Sequence, residues 1–168
     1  NDKLGANETG TDVFTYTVTD GTDNDTSTLT FTITGANDAP VASNDNNTID
    51  ISSTTSLTVP NGSSKDILVN DNDADTSATL SATEIRTGAT GGSGTTGTIG
   101  QSLTGTYGSI TVSSDGSYTY NVNSRLKDTL EKGKVVYDYF NYTVSDGTAT
   151  DDATIIIKLQ NGNKVNDL

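Results

Sequence analysis

One stretch of this sequence occurs twice, and nothing else constrains the fold as strongly. Phe14-Thr-Tyr-Thr-Val-Thr-Asp-Gly-Thr22 returns without a gap as Phe140-Asn-Tyr-Thr-Val-Ser-Asp-Gly-Thr148, an offset of 126 residues (140 − 14). The register then holds, with Leu29, Phe31 and Ile33 falling on Ile155, Ile157 and Leu159, and Asn37 on Asn163. An ungapped match of this length is an internal repeat, and it sets the period. Residues 1–37 therefore read as the closing hairpin of one repeat, 38–163 as a whole repeat, and 164–168 as the start of a linker or tail.

The duplicated text alternates with a period of two. Phe14, Tyr16 and Val18 share one face, and so do Leu29, Phe31 and Ile33, with threonines opposite. Such alternation marks half-buried antiparallel strands, and the Asp20–Asp25 connector between them makes 11–34 a hairpin. Further strands are expected at Thr48–Ser52, Ser56–Pro60 and Leu80–Thr87, and Ile67-Leu68-Val69 reads as a buried run. Ser109–Ser113 and Ser117–Val122 flank Ser114-Asp115-Gly116, a strong hairpin signal. A short helix is expected over Arg125–Lys132 with Ser124 as N-cap, and 88–105, mostly Gly, Thr and Ser, reads as a mobile surface loop. The expected class is all-β, an antiparallel sandwich with Phe140, Tyr142, Val144, Ile155, Ile157, Tyr118, Tyr120, Ile110 and Val112 inward.

Composition narrows the chemistry. The chain has no Cys, His, Met or Trp, which removes disulfides, thiol nucleophiles, imidazole bases, and zinc or copper sites built from imidazole and thiolate. Serine and threonine abound, yet no histidine can activate them, so an enzyme is not expected. Hard oxygen is the ligand chemistry that remains, and it suits calcium. Nine basic against 22 acidic residues give a formal charge of −13. Phosphate backbones and anionic membrane surfaces are poor partners for such a surface. No run of about 18 apolar residues offers a membrane span. No signal peptide is visible after Asn1, so a targeting signal, if there is one, lies outside this chain.

Tyr16-Thr-Val-Thr-Asp-Gly21 with its Thr-rich second strand, followed by Asn37-Asp-Ala-Pro-Val-Ala42, resembles the VCBS and cadherin-like repeats of large bacterial surface and RTX-type exported proteins. Tyr107–Tyr120 looks like the central hairpin of that family, and Asp66–Asp75 like its acidic loop. The resemblance implies an immunoglobulin-like sandwich, tandem arrays, an extracellular or cell-surface location, and roles in adhesion or biofilms. Two departures stand out: the long loop at 88–105, and Thr76 where such acidic loops often carry Gly.

Asp71, Asp73 and Asp75 form a D-x-D-x-D run, with Asn70 and Asn72 interleaved and Asp66 upstream. Alternating carboxylates on a curved loop can supply several of the six to eight oxygens calcium takes, and the same residues can also be an ordinary Asx-rich turn. Asp38 and Asp45 form a second acidic area, where by resemblance boundary calcium would stiffen the joint between repeats. Asp20 and Asp146 read as turn residues, and Tyr137 and Tyr139 face outward, where they suit either cross-strand pairing or a sugar-stacking platform. The expected partners are neighbouring repeats or neighbouring subunits, with surface glycans as a further option. As the end of a cut array, the 11–34 hairpin lacks its partner strands; as part of a mature subunit, it could complete a neighbour's sheet and build a filament.

Overall fold

The computed structural model describes residues 3–162, and the linker expected at 164–168 lies outside them. The chain forms two compact units. The smaller takes the chain through Asp38 together with Ala74–Ala78, and the larger takes Ala39–Asp73 and the chain from Thr79 onward.

In the larger unit, alternating apolar residues build two sheets. One has the strand order β3 (Asp45–Asp50), β11 (Thr150–Gln160), β10 (Val135–Ser145), β5 (Ser81–Thr87) and β6 (Thr96–Gly97). The other runs β4 (Ser56–Val59), β9 (Tyr118–Val122), β8 (Gly108–Val112) and β7 (Ser102–Thr104). Pairing is antiparallel except at β3, which runs parallel to β11 with Asp45 beside Ile155 and Ile49 beside Leu159. The inner faces of the two sheets share one core. All nine residues expected inward lie in it, with Phe140, Tyr142, Val144, Ile155 and Ile157 from one sheet and Ile110, Val112, Tyr118 and Tyr120 from the other. Each such side chain contributes about 1.5–3 kcal/mol by leaving water. The fold is an all-β, immunoglobulin/cadherin-like sandwich.

The smaller unit is a two-stranded ladder, β1 (Thr9–Thr19) and β2 (Asn24–Thr34), with Phe14 opposite Leu29. Its turn is held as expected, since Asp20 Oδ1 accepts from the N–H groups of Thr22 and Asp23 at 2.8 Å each. Thr76 donates through its N–H and its hydroxyl to Lys3 O, tying Ala74–Ala78 into this unit.

Several local expectations are corrected. Residues 88–105 are more than a loop: they supply β6 and β7, and Leu103 enters the core. Two large apolar residues, the buried Leu103 and the partly buried Ile99, are enough to anchor this Thr/Gly/Ser run on the core, and composition averaged over the run hides them. The first strand of the larger unit starts at Asp45 and ends before Ser52. Ile67 is buried but lies in a turn, and Val69 is exposed. The helix shrinks to α1 (Leu126–Thr129), with Arg125 at the cap position and no side-chain cap; Asn123 Oδ1 instead accepts the Arg125 N–H at 3.0 Å.

Candidate metal centre

Alternation along β3 turns Asp45 and Asn47 to the same inner face as Ile49, so the sandwich interior is polar at the start of this strand. Asn47 donates to the Tyr118 hydroxyl across the core. Asn47 Oδ1 and Asp45 Oδ2 are buried and accept no hydrogen bond. Burying a polar atom without a partner costs on the order of 1–3 kcal/mol.

The turn at 66–71 closes over this end. Asp71 Oδ1 accepts the Ser43 N–H at 2.7 Å, and the Tyr142 hydroxyl lies 2.9 Å from Asp71 Oδ2 and 2.7 Å from Ile67 O. The Asn70 amide is crowded from both ends. One end lies 3.3 Å from Ser43 O and 3.3 Å from Asn44 O, and the other 3.2 Å from Asp45 Oδ1 and 3.3 Å from Ile67 O. Whichever way the amide turns, its NH₂ serves one pair and its own oxygen faces two further oxygens.

The electrostatics follow from this crowding. Burial, then the neighbouring Asp71 and Asp66 charges, push the Asp45 carboxyl up to about 8, against hydrogen bonds from Tyr142 and Asn70 that pull it down. Burial likewise raises Asp71. The Tyr142 hydroxyl is held far above its ordinary value by burial and by these two carboxylates.

The residues expected to bind metal divide as follows. Asp45 and Asp71 meet around Tyr142. Asp66 is close enough to raise both, but its oxygens staple a turn, accepting from Gly62 N at 2.7 Å and Leu68 N at 2.9 Å. Asp73 belongs to the larger unit, whereas Asp75 belongs to the smaller one, where it accepts the Asp38 N–H at 2.9 Å. Among the described residues, no three acidic side chains form a ready-made metal group. Any cation at the Asp45 end would draw on amide and carbonyl oxygens as well as on carboxylates. The donor set there is all hard oxygen and has an excess of acceptors over donors, so it fits calcium.

Reading along the sequence missed Asn47, and it placed Asn70 only as an interleaved residue of the D-x-D-x-D run. The signal was available in the period-two series Asp45, Asn47, Ile49, Ile51, which puts two polar residues in line with two core isoleucines.

A second buried carboxylate, Asp138 on β10, was also missed. It accepts from Thr106 N and Tyr107 N at 3.0 Å each and from the Tyr120 hydroxyl at 2.8 Å. Gly105 is needed beside it, because a Cβ there would stand 2.6 Å from Asp138 Oδ2 and 2.5 Å from the Phe140 ring. On the outer surface Tyr137 and Tyr139 stack with ring centres 6.2 Å apart. Tyr139 lines a shallow cleft with Thr87, Thr95, Thr104 and Thr106. Asn141, part of a potential glycosylation sequon, is fully buried.

An immunoglobulin-like sandwich closed by a C-terminal hairpin, with a polar end built from Asp and Asn, defines the class of protein as a structural repeat. The pattern of the bacterial cadherin-like domain matches residues 37–161, and the chain belongs to that family. A comparison with the curated proteins finds no match. Among the described residues no helix is long and apolar enough to cross a membrane.

Proposed function

We propose that the chain is a non-enzymatic, adhesion-type repeat from an extracellular bacterial array, stiffened by calcium at the Asp45 end of its sandwich. Membership of the cadherin-like family supports the adhesive, extracellular part of this reading. The calcium part rests on one observation: the Asn70 amide is held between two pairs of oxygens, beside a buried Asp45 oxygen that accepts no hydrogen bond. A dication turns oxygen–oxygen repulsion into coordination and neutralises carboxyls that burial otherwise pushes towards protonation. Asp45, Asp71 and the Asn70 side chain would hold it, helped by the Ile67 and Ser43 carbonyls. The proposed ligand set thus narrows from the wider acidic series to these residues.

Calcium titration followed by thermal melting tests it. A ligand at 100 times its Kd stabilises the native state by about 2.7 kcal/mol, so the melting temperature should rise with calcium. Asp45→Asn should abolish that rise, while Asp115→Asn, in an exposed turn where Asp115 bonds Ser117, should leave it intact. An apo protein as stable as the calcium-loaded one ends this reading. The stacked Tyr137–Tyr139 pair above its threonine-lined cleft favours a second reading, a glycan platform, and a glycan array with Tyr139→Ala as control decides it.

A further inference from the structure

Alternation along β10 puts Tyr137, Tyr139 and Asn141 on the outer face of their sheet, yet their exposures differ. Tyr137 and Tyr139 are 45% and 38% exposed, whereas Asn141 is at 0%. The cover over Asn141 is the segment 88–93, which leaves β5 and folds back across the sheet. The Asn141 amide donates to Gly88 O and Ser93 O at 3.1 Å each, and its oxygen accepts the Gly92 N–H at 3.2 Å. Thr154, paired with Asn141 on β11, donates its hydroxyl to Ala89 O at 3.1 Å. Gly88 N donates to Tyr139 O at 2.8 Å, so the loop is tied down where the exposed tyrosines begin. Burying an amide is costly unless its bonds are made, and here they are made to hold a loop rigid on a face that solvent could have covered.

The pinned loop is a wall beside an aromatic floor. Tyr137 stacks on Tyr139 with 28° between the rings, which fixes the Tyr139 side chain before any ligand arrives and leaves little side-chain entropy to lose on binding. The cleft between Tyr139 and the wall holds about 340 Å³, at the small end of ligand sites, which run about 300–1,000 Å³. Its opposite side is the 104–106 turn, held by the Thr106 N–H on Asp138 Oδ1 at 3.0 Å. Thr95 is held in the same manner, through its N–H on Thr87 Oγ1 at 3.0 Å. Both threonines are thus anchored by backbone, which leaves their hydroxyls to the cleft. Among the described residues that line it there is no cation, and Asp138 supplies a carboxyl. Lys158 stands across the strand pair from Tyr137 and is not part of the lining.

An aromatic face beside free hydroxyls, with no counter-ion, is the chemistry that takes an uncharged sugar. The C–H groups on one side of a pyranose ring carry partial positive charge and meet the negative face of an aromatic ring. The hydroxyls at its edge can then exchange hydrogen bonds with Thr95, Thr104 and Thr106. We propose that Tyr139, backed by Tyr137 and walled by the 88–95 segment, forms a subsite for a single neutral hexopyranose ring. This rests on the glycan reading and names the ligand class and the residues for it; it is independent of the calcium site.

The test is a titration of the isotope-labelled full chain with methyl glycosides of glucose, galactose and mannose, and with glucuronate, followed by amide chemical shifts. Amides at 88–95 and 137–139 should move together, with Kd on the order of 1 mM for at least one neutral glycoside. Glucuronate should bind about tenfold more weakly, because its carboxylate meets Asp138 and a chain of formal charge −13. Tyr139→Leu keeps an apolar surface but loses the ring face, and should weaken binding about tenfold, whereas Tyr139→Phe should stay within about twofold of the parent. The melt of both variants should match the parent's, since Tyr139 is exposed. Thr95→Val removes one hydroxyl at constant shape and should weaken the best-bound glycoside about fivefold. The proposal is overturned if Tyr139→Leu and Thr95→Val leave binding intact, in which case the glycan reading survives without this cleft. It is also overturned if glucuronate binds as well as the neutral glycosides. Absence of any shift removes the subsite, and a glycan array that is blank as well removes the glycan reading with it.

Discussion

The hairpins β1–β2 and β10–β11 share sequence, register and turn, yet one lies open to solvent on both faces and the other forms the centre of a core. The alternation of Phe, Tyr and Val specifies a ladder in both places; burial comes from what stands opposite. In the larger unit that is β4, β7, β8 and β9, with β5 and β3 on the flanks. A two-stranded ladder alone is marginal in water, so the local pattern defines shape and the cover supplies stability.

The comparison breaks most sharply at the paired phenylalanines. Phe140→Ala should cost about 3–5 kcal/mol, because it empties a fully buried site against Tyr120, whereas Phe14→Ala should move the global melt by less than about 0.5 kcal/mol. Urea unfolding followed by circular dichroism measures both. Equal losses would mean that the hairpin face is covered in solution.

The paired aspartates come next. Asp138→Ala strands two N–H groups and a hydroxyl in the interior, and should cost about 2–4 kcal/mol. Asp12→Ala strands nothing in the chain as it stands and should be silent in the same melt.

Most of the architecture was legible in the sequence, since period-two alternation needs only the local text: all nine core positions, the outward tyrosines and the Asp20 and Asp146 turns follow from it. The polar end was harder to read. Asp45 and Asp71 are 26 residues apart (71 − 45) and meet only because β3 pairs in parallel with β11 and the 66–71 turn folds back over it. No spacing rule encodes that meeting. The D-x-D-x-D run drew attention by its density, although density on a loop says little about where the oxygens point. Leu103 was lost for the opposite reason: it and Ile99 are sparse apolar residues diluted by a polar stretch.

The tyrosine pair sharpens the comparison through pH. Tyr142 sits between the buried Asp45 carboxyl and the half-buried Asp71 carboxyl, while Tyr16 is exposed. Because Asp45 is raised to about 8 from an unfolded value near 3.8, the folded chain holds a proton that the unfolded chain releases. That contribution is complete below about pH 4 and is lost as pH rises through about 8. In chelator the sandwich should therefore lose on the order of 2 kcal/mol between pH 5 and pH 8.5, a figure reduced for partial solvent screening. Thermal melts across that range check it. Asp45→Asn should flatten the dependence, and saturating calcium should do the same by stabilising the ionised form.

The smallest effect separates local from tertiary encoding. Gly21 and Gly147 both have φ +98°, a conformation that costs an L side chain strain. In each turn the preceding aspartate accepts two N–H groups: Asp20 from Thr22 and Asp23, Asp146 from Thr148 and Ala149. The turns are chemically the same object, so substitution strains each by the same amount. The strain should nonetheless be expressed differently. Gly147→Ala should lower the global stability of the sandwich by about 1 kcal/mol, because β10 and β11 unfold only with the whole core. Gly21→Ala should leave the global melt in place and instead fray the hairpin locally, seen as faster amide exchange at 17–19 and 24–26. If Gly21→Ala lowered the global melt by as much as Gly147→Ala, the two hairpins would share one cooperative fate, and the contrast between them would be one of burial alone.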